Sequence, residues 1–299
     1  ASEIVVGANS HICLWEGGNA AGLAGISTRQ VYEDPNTAQL DSDTIRDCWV
    51  LDDDDHTPKT RVLCLENTHN MMGGVALPPT YMDAMSELAK NELNLRLHLD
   101  GARVMNAIVA QSSNDNNNSS SPATAETTRS LAQRLCRGVD SISVCLSKGL
   151  GSPLGSVLVG ETEFIRLAKR ARKRCGGGMR QAGVVAAMGL YAIQHNVNLL
   201  ADDHERAQRL ANVLQQHDFI LPLNGGRVDT NIIFFQLPTY CTIPREQFTQ
   251  QLSDEYGILI GGGYSRGRLF RVCTHLNVND EDVDRAGQAI VQLAQSCIK

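Results

Sequence analysis

Five short apolar runs, each ending in a polar residue or a glycine, constrain this chain more than any other feature. They occupy residues 4–7, 61–66, 95–100, 141–146 and 156–160, the length expected of buried strands. Between them stand segments with apolar residues at helical spacing. Residues 80–92 carry Met82, Met85, Leu88 and Ala89 in this way, and residues 127–138 form another such segment. Strand, helix and strand in this rhythm predict an α/β domain built on a largely parallel sheet. Ligands of such sheets sit at the carboxyl ends of the strands.

From about residue 196 the pattern changes. A long polar helix over residues 198–217 is followed by strand candidates at 231–237, 258–260 and 268–272, and by a final helix from Asp280. The reading is a large domain over residues 1–195 and a smaller α+β domain over residues 196–299. Residues 111–128 contain a polar run from Ser112 to Pro122 with no apolar face to bury. A disordered, solvated surface insertion is expected there.

With 299 residues, 42% hydrophobic and 20% charged, the chain can bury a full core. A formal net charge of −6 gives no electrostatic reason to expect nucleic acid or an anionic membrane as partner. A small molecule is the better default. The most apolar helical stretch, residues 182–193, is well short of the roughly 20 residues that cross a bilayer. Nine cysteines include no C-x-x-C pair and no metal-ligand spacing, so they are read as reduced thiols of a cytoplasmic protein with no metal site. No signal peptide is visible at the N-terminus, and an organellar address is left open.

The chemistry is carried by two strand ends. Residues 140–151 run from an apolar strand into Ser147-Lys148-Gly149. A lysine directly after a buried strand can be partly desolvated, which lowers its pKa and frees an amine to attack an aldehyde. Taken alone, a surface lysine at a turn gives the same pattern. Residues 97–103 form a second strand running straight into Asp100, then Gly101, Ala102 and Arg103. A carboxylate there can pair with a protonated pyridine nitrogen and keep a pyridoxal ring an electron sink. Lys148 follows Asp100 by 48 positions, and the polar insertion accounts for the excess without moving either strand end.

Four motifs in register resemble the threonine aldolases: Leu65-Glu66-Asn67-Thr68-His69-Asn70, residues 98–103, residues 145–151, and the run from Gly176 through Met179 and Arg180 to Gly183. The resemblance implies a pyridoxal 5'-phosphate (PLP) enzyme of fold type I, an aldehyde-lyase that cleaves threonine or allo-threonine to glycine and acetaldehyde. It implies that Lys148 is the Schiff-base lysine, that Asp100 binds the pyridine nitrogen, and that His11 stacks on the cofactor ring. An exposed loop histidine is the bland reading of His11. His69 is the candidate base for the β-hydroxyl proton, with His11 as runner-up. A neutral imidazole titrates in the right range, although His69 could equally serve only to brace the loop that follows it. Arg103 and Arg271 match the arginines for the substrate carboxylate, with Arg103 also near the cofactor oxygen. Within the basic run 166–174, otherwise a solvated helix face, Lys173 matches a residue that reaches a neighbouring subunit, as does Arg180 beyond it. A homotetramer built as a dimer of dimers follows from the resemblance alone.

The family places a Ser-Gly-Thr loop at a helix N-terminus against the PLP phosphate, as helix N-termini bind anions generally. No such loop stands before His11, so the family's opening segment is read as missing and the first strand is expected to lack a sheet neighbour. Two other readings stay open. Asp100 and Lys148 provide carbanion chemistry that also serves β-elimination or racemisation, and a chain unable to retain PLP would be an inactive partner subunit.

Overall fold

The structure is a computed structural model, and it describes residues 1–50, 55–116, 125–261 and 269–297. Its centre is a six-stranded sheet in the order β2-β1-β3-β4-β5-β6. The strands are β1 (Ser2–Gly7), β2 (Ile26–Val31), β3 (Lys59–Glu66), β4 (Arg96–Asp100), β5 (Ser141–Cys145) and β6 (Ser156–Gly160). The first five run parallel, and β6 pairs with β5 antiparallel. This is the mainly parallel α/β sheet that the apolar runs predict. The first strand does not lack a neighbour: β1 lies between β2 and β3. The sequence reading has no counterpart for β2, because this edge strand carries Ser27, Thr28, Arg29 and Gln30 and buries little but Val31.

Helices close the sheet. Short α1 (His11–Leu14) and α2 (Asn19–Gly22) precede β2, and α3 (Ser42–Cys48) follows it, capped by the Asp41 carboxylate accepting from Thr44 N at 2.9 Å. The helix α4 (Pro79–Glu87) and its wider terminal turn through Glu92 set Met82, Met85 and Leu88 against Leu63, Leu97 and Leu99. All six side chains are almost wholly buried, so truncating any of them to alanine costs about 2–5 kcal/mol. Helix α5 (Val104–Asn116) and helix α6 (Ala125–Leu135) carry the chain from β4 to β5.

These two helices correct the expected insertion at 111–128. Residues 111–116 continue α5 and residues 125–128 open α6, while residues 117–124 lie outside the described residues. A helix already nucleated extends at little cost. Gln111 Nε2 also donates to Ala76 O at 2.9 Å, and the buried Ser112 hydroxyl donates to Ile108 O at 2.8 Å. Polar side chains here are spent on the fold.

After β6 come α7 (Thr162–Arg174), α8 (Gly183–His195) and α9 (Leu200–Gln215). The last part of the chain forms a two-stranded antiparallel sheet of β7 (Ile232–Gln236) and β8 (Leu269–Cys273), flanked by α10 (Arg245–Tyr256) and α11 (Asp280–Gln295). Phe235 stacks on Phe270 at 5.0 Å between ring centroids, and Phe248 meets Phe270 edge-on at 5.4 Å. This core, joined by α9 and α11, is separate from the one beneath the large sheet. The strand expected at residues 258–260 does not form. Gly257 ends α10 in the left-handed conformation, and Ile258 N donates to Leu252 O at 3.2 Å, which winds these residues onto the helix end.

Candidate active site

The carboxyl ends of β3, β4 and β5 face one region, because the strands are parallel and in register: Glu66 stands opposite Asp100, and Asp100 opposite Ser143. Asp100 is buried, and one of its oxygens accepts from Ala102 N at 3.1 Å. Lys148 lies five residues beyond Ser143, in the turn closed by Gly151 N donating to Lys148 O at 2.8 Å. Among the described residues its half-buried amine makes no hydrogen bond or ion pair. Both strand ends are followed by glycines in tight quarters. A Cβ on Gly101 would lie 2.9 Å from Ile142 Cγ2, and one on Gly149 would lie 2.8 Å from Leu200 Cδ2.

The buried loop after β3 gathers the remaining candidates. Glu66 receives two backbone N–H groups, His11 N at 2.6 Å on one oxygen and Asn70 N at 2.8 Å on the other. This fixes the start of α1, and His11 with it, against the end of β3. The His11 ring reaches outward to Glu16, 3.1 Å from Nε2 to Oε1. The Asn70 amide oxygen accepts from Arg103 Nη1 at 3.2 Å and from Arg271 Nη2 at 2.8 Å. Arg103 comes from the first residues after β4 and Arg271 from the middle of β8, so one amide draws cations from both sheets to one point. Two guanidinium groups converging on a neutral oxygen make a site suited to a carboxylate.

His69 is buried, with 3% of its side chain exposed. Its Nε2 lies 3.1 Å from Glu33 Oε1, and its Nδ1 lies 3.9 Å from Glu66 Oε1. Burial pushes the imidazole towards its neutral form, but the charges of Glu66, Glu33 and Asp100 outweigh it and raise its pKa above the ordinary value. At Glu33 burial pushes upward, and the His69 hydrogen bond and charge bring the carboxyl below its usual range. His69 is therefore a biased imidazole with a carboxylate partner, where the sequence suggested a neutral one.

Lys173, near the end of α7, and Arg180, in the glycine-rich turn beyond it, are exposed and stand apart from this cluster. Lys173 folds back along Gly178, where a Cβ would lie 2.8 Å from Lys173 Cδ. Glu33, Glu66 and Asn70 are the residues to which sequence reasoning gave no role. Glu66 and Asn70 stood inside a quoted motif, but Glu33 follows an edge strand in a polar loop and carries no sequence signal.

The donor set suits PLP. A primary amine with no hydrogen-bond or ion-pair partner among the described residues can condense with an aldehyde, a buried carboxylate at the next strand end can pair with a pyridinium nitrogen, and the close-packed glycines let a flat ring approach the backbone.

Comparison with known proteins agrees. The family model of β-eliminating lyases matches residues 1–238. Low-specificity L-threonine aldolase 1 of Arabidopsis thaliana is 36% identical over 284 residues, which are 94% of this chain and 73% of that protein. The low-specificity L-threonine aldolase of Escherichia coli is 34% identical over 282 residues, 94% of this chain and 74% of that one. Among solved structures, the threonine aldolase of Leishmania major superposes with a TM-score of 0.74 at 18% identity, covering 98% of this chain and 78% of that chain. A PLP-dependent aminotransferase from Streptococcus suis shares the fold at a TM-score of 0.64 and 15% identity, over 100% of this chain and 71% of that one. A parallel sheet with an amine and a carboxylate at neighbouring strand ends thus has both its fold and its sequence kin in one place, and this chain belongs to the β-eliminating lyases, among the threonine aldolases.

Proposed function

We infer that this chain cleaves threonine and related β-hydroxy-α-amino acids to glycine and an aldehyde, with PLP as cofactor, in amino-acid breakdown and glycine formation. The observation that carries the reading is the convergence of Arg103, Arg271 and His11 on the Asn70–Glu66 loop that also holds His69, beside Asp100. That arrangement joins an anion site to a buried base, as cleavage of a hydroxylated amino acid demands.

In this reading Lys148 would hold the cofactor covalently, Asp100 its pyridine nitrogen and His11 its ring face. Bound PLP supplies the sink for the electron pair left on Cα when the Cα–Cβ bond breaks. Arg103 and Arg271 bind the substrate carboxylate and so fix which Cα bond is presented for cleavage. His69 takes the proton of the β-hydroxyl as the carbonyl of the leaving aldehyde forms. Its pKa, raised by Glu66, Glu33 and Asp100, makes the acid limb of the activity fall where the ring becomes protonated.

The residues 1–195 and 196–299 are assigned to a cofactor-binding and a small domain, with Arg271 contributed by the second. We further place the protein in the cytoplasm, in keeping with nine free cysteines, and assign it to a homo-oligomer, a dimer of dimers. Val184, Leu190 and Tyr191 of α8 are each more than half exposed, and Val157 and Val159 of β6 and Phe164 of α7 add to the apolar surface. Apolar area of this kind favours burial against a second copy, and Lys173 and Arg180 lie on elements next to it.

The test is a visible absorption spectrum of the PLP-loaded protein, before and after glycine, together with acetaldehyde release from threonine. A band that requires Lys148, is lost in Lys148→Ala and shifts with glycine supports the reading. A glycine-responsive band without acetaldehyde release would assign the site to another lyase reaction.

A further inference from the structure

We infer that Glu33 is the positioning residue of His69, fixing the orientation of the imidazole and which of its ring nitrogens carries the proton. The catalytic consequence rests on the reading of His69 as the base; the placement itself does not. Glu33 lies just beyond β2, 36 positions before His69, and the two side chains are 1% and 3% exposed.

The carboxylate is built in from three sides. Asn9 donates to it from its backbone, at 3.0 and 3.2 Å to the two oxygens, and from its side chain at 2.9 Å. The His69 ring supplies the remaining partner at 3.1 Å. On the third side stands Gly7 at the end of β1, where an added Cβ would collide with Glu33 Oε1. A bare glycine at that strand end is therefore what leaves room for the carboxylate. The placement involves three separate segments, the end of β1, the loop after β2 and the loop after β3.

The chemistry of the pair then settles the tautomer. An ionised carboxylate only accepts, so Nε2 of His69 must carry a proton. In the neutral ring the lone pair sits on Nδ1, which is buried, has no hydrogen-bond partner among the described residues, and lies 3.9 Å from Glu66 Oε1. That separation is too long for a hydrogen bond. Nδ1 is thus the nitrogen with unused capacity to take a proton, and Glu33 holds the ring by the other. Charged groups around the ring come from three directions: Glu33, Glu66 and Asp100. Cys13 and Tyr81 are also in the field of the Glu33 carboxylate.

The test uses the PLP-loaded protein with histidine labelled in its ring, read by NMR across pH, with the His69 signal identified by its loss in His69→Asn. At high pH the wild-type ring should carry its proton on Nε2. Glu33→Gln removes the charge at similar volume and should move the His69 midpoint to lower pH, with Glu33→Asp restoring part of the shift. A wild-type ring protonated on Nδ1, or a midpoint unchanged in Glu33→Gln, would overturn the inference. The wild-type tautomer decides the matter even where a variant does not fold. In kinetics, Glu33→Gln should lower kcat for threonine cleavage roughly tenfold or more with KM nearly unchanged, as losing a histidine's supporting carboxylate does elsewhere. The acid limb of kcat/KM should move to lower pH along with the NMR midpoint. Full kcat in His69→Asn would remove His69 from the role of base while leaving the NMR result, and so the placement, to stand.

Discussion

Replacing Asn70 by aspartate puts the anion site to a direct test. The Asn70 amide oxygen sits 2.8 Å from Arg271 Nη2 and 3.2 Å from Arg103 Nη1, so Asn70→Asp places a permanent negative charge where both cations already point. A substrate carboxylate gripped by the same guanidinium groups would lie roughly 6 Å from that charge. At an effective dielectric constant of about 20, repulsion over that distance is about 3 kcal/mol, or roughly 100-fold in binding. KM for threonine should rise by about that factor in a steady-state acetaldehyde assay, with kcat changing less. Asn70→Ala, which removes the oxygen but adds no charge, should raise KM far less. Thermal unfolding and the PLP absorption band serve as controls for folding. A KM in Asn70→Asp within about threefold of wild type would refute the assignment of these two arginines to the substrate carboxylate.

Other substitutions probe the frame around the site. Gly149→Ala drives a Cβ to 2.8 Å from Leu200 Cδ2; overpacking of this kind costs about 1–3 kcal/mol, so Tm should drop by several degrees, and activity should fall with Lys148 displaced next door. Asp203 in α9 is fully buried, has neither oxygen hydrogen-bonded among the described residues, and is pushed up to about 6 by burial against the opposing pull of Arg206. Its folded pKa exceeds its unfolded value of 3.8, so the stability it contributes is present at low pH and is lost as pH rises through about 6. Asp203→Asn should therefore gain on wild type between pH 5 and pH 7.5 by about 1–3 kcal/mol, read as a pH-dependent difference in Tm. Leu190→Arg on the exposed face of α8 should lower the mass found by light scattering on a sizing column and leave the helix content unchanged; an unchanged mass would place the subunit contact elsewhere.

The strands that carry Asp100 and precede Lys148 are legible because an apolar residue at every second position, Leu97 and Leu99 in one and Ile142 and Val144 in the other, is the mark of a strand. Leu97 and Leu99 are fully buried. The edge strand β2 carries no such mark, since one open side lets Arg29 and Gln30 stand in it. The polar run after Ala110 reads as a loop because its anchors, Gln111 and Ser112, bond to backbone oxygens that only the folded chain supplies. At the site, residue types pointed to an amine, a carboxylate, two histidines and two arginines. The connectors between them were not readable. Glu33 meets His69 across 36 positions, and Arg271 meets Asn70 across 201, and no local pattern encodes a partner at that range.

The shared hold of Asn70 on Arg103 and Arg271 bears on the order in which products leave. The Asn70 amide already holds both guanidinium groups towards one point, so on the proposed reading an arriving amino acid need not freeze long, mobile side chains. A ligand carboxylate competes well for them, since a charged acceptor binds guanidinium more strongly than an amide does. Of the two products of threonine cleavage, glycine keeps the carboxylate and acetaldehyde has none. On the proposed assignment of the two arginines to the substrate carboxylate, they would release the aldehyde first and retain glycine.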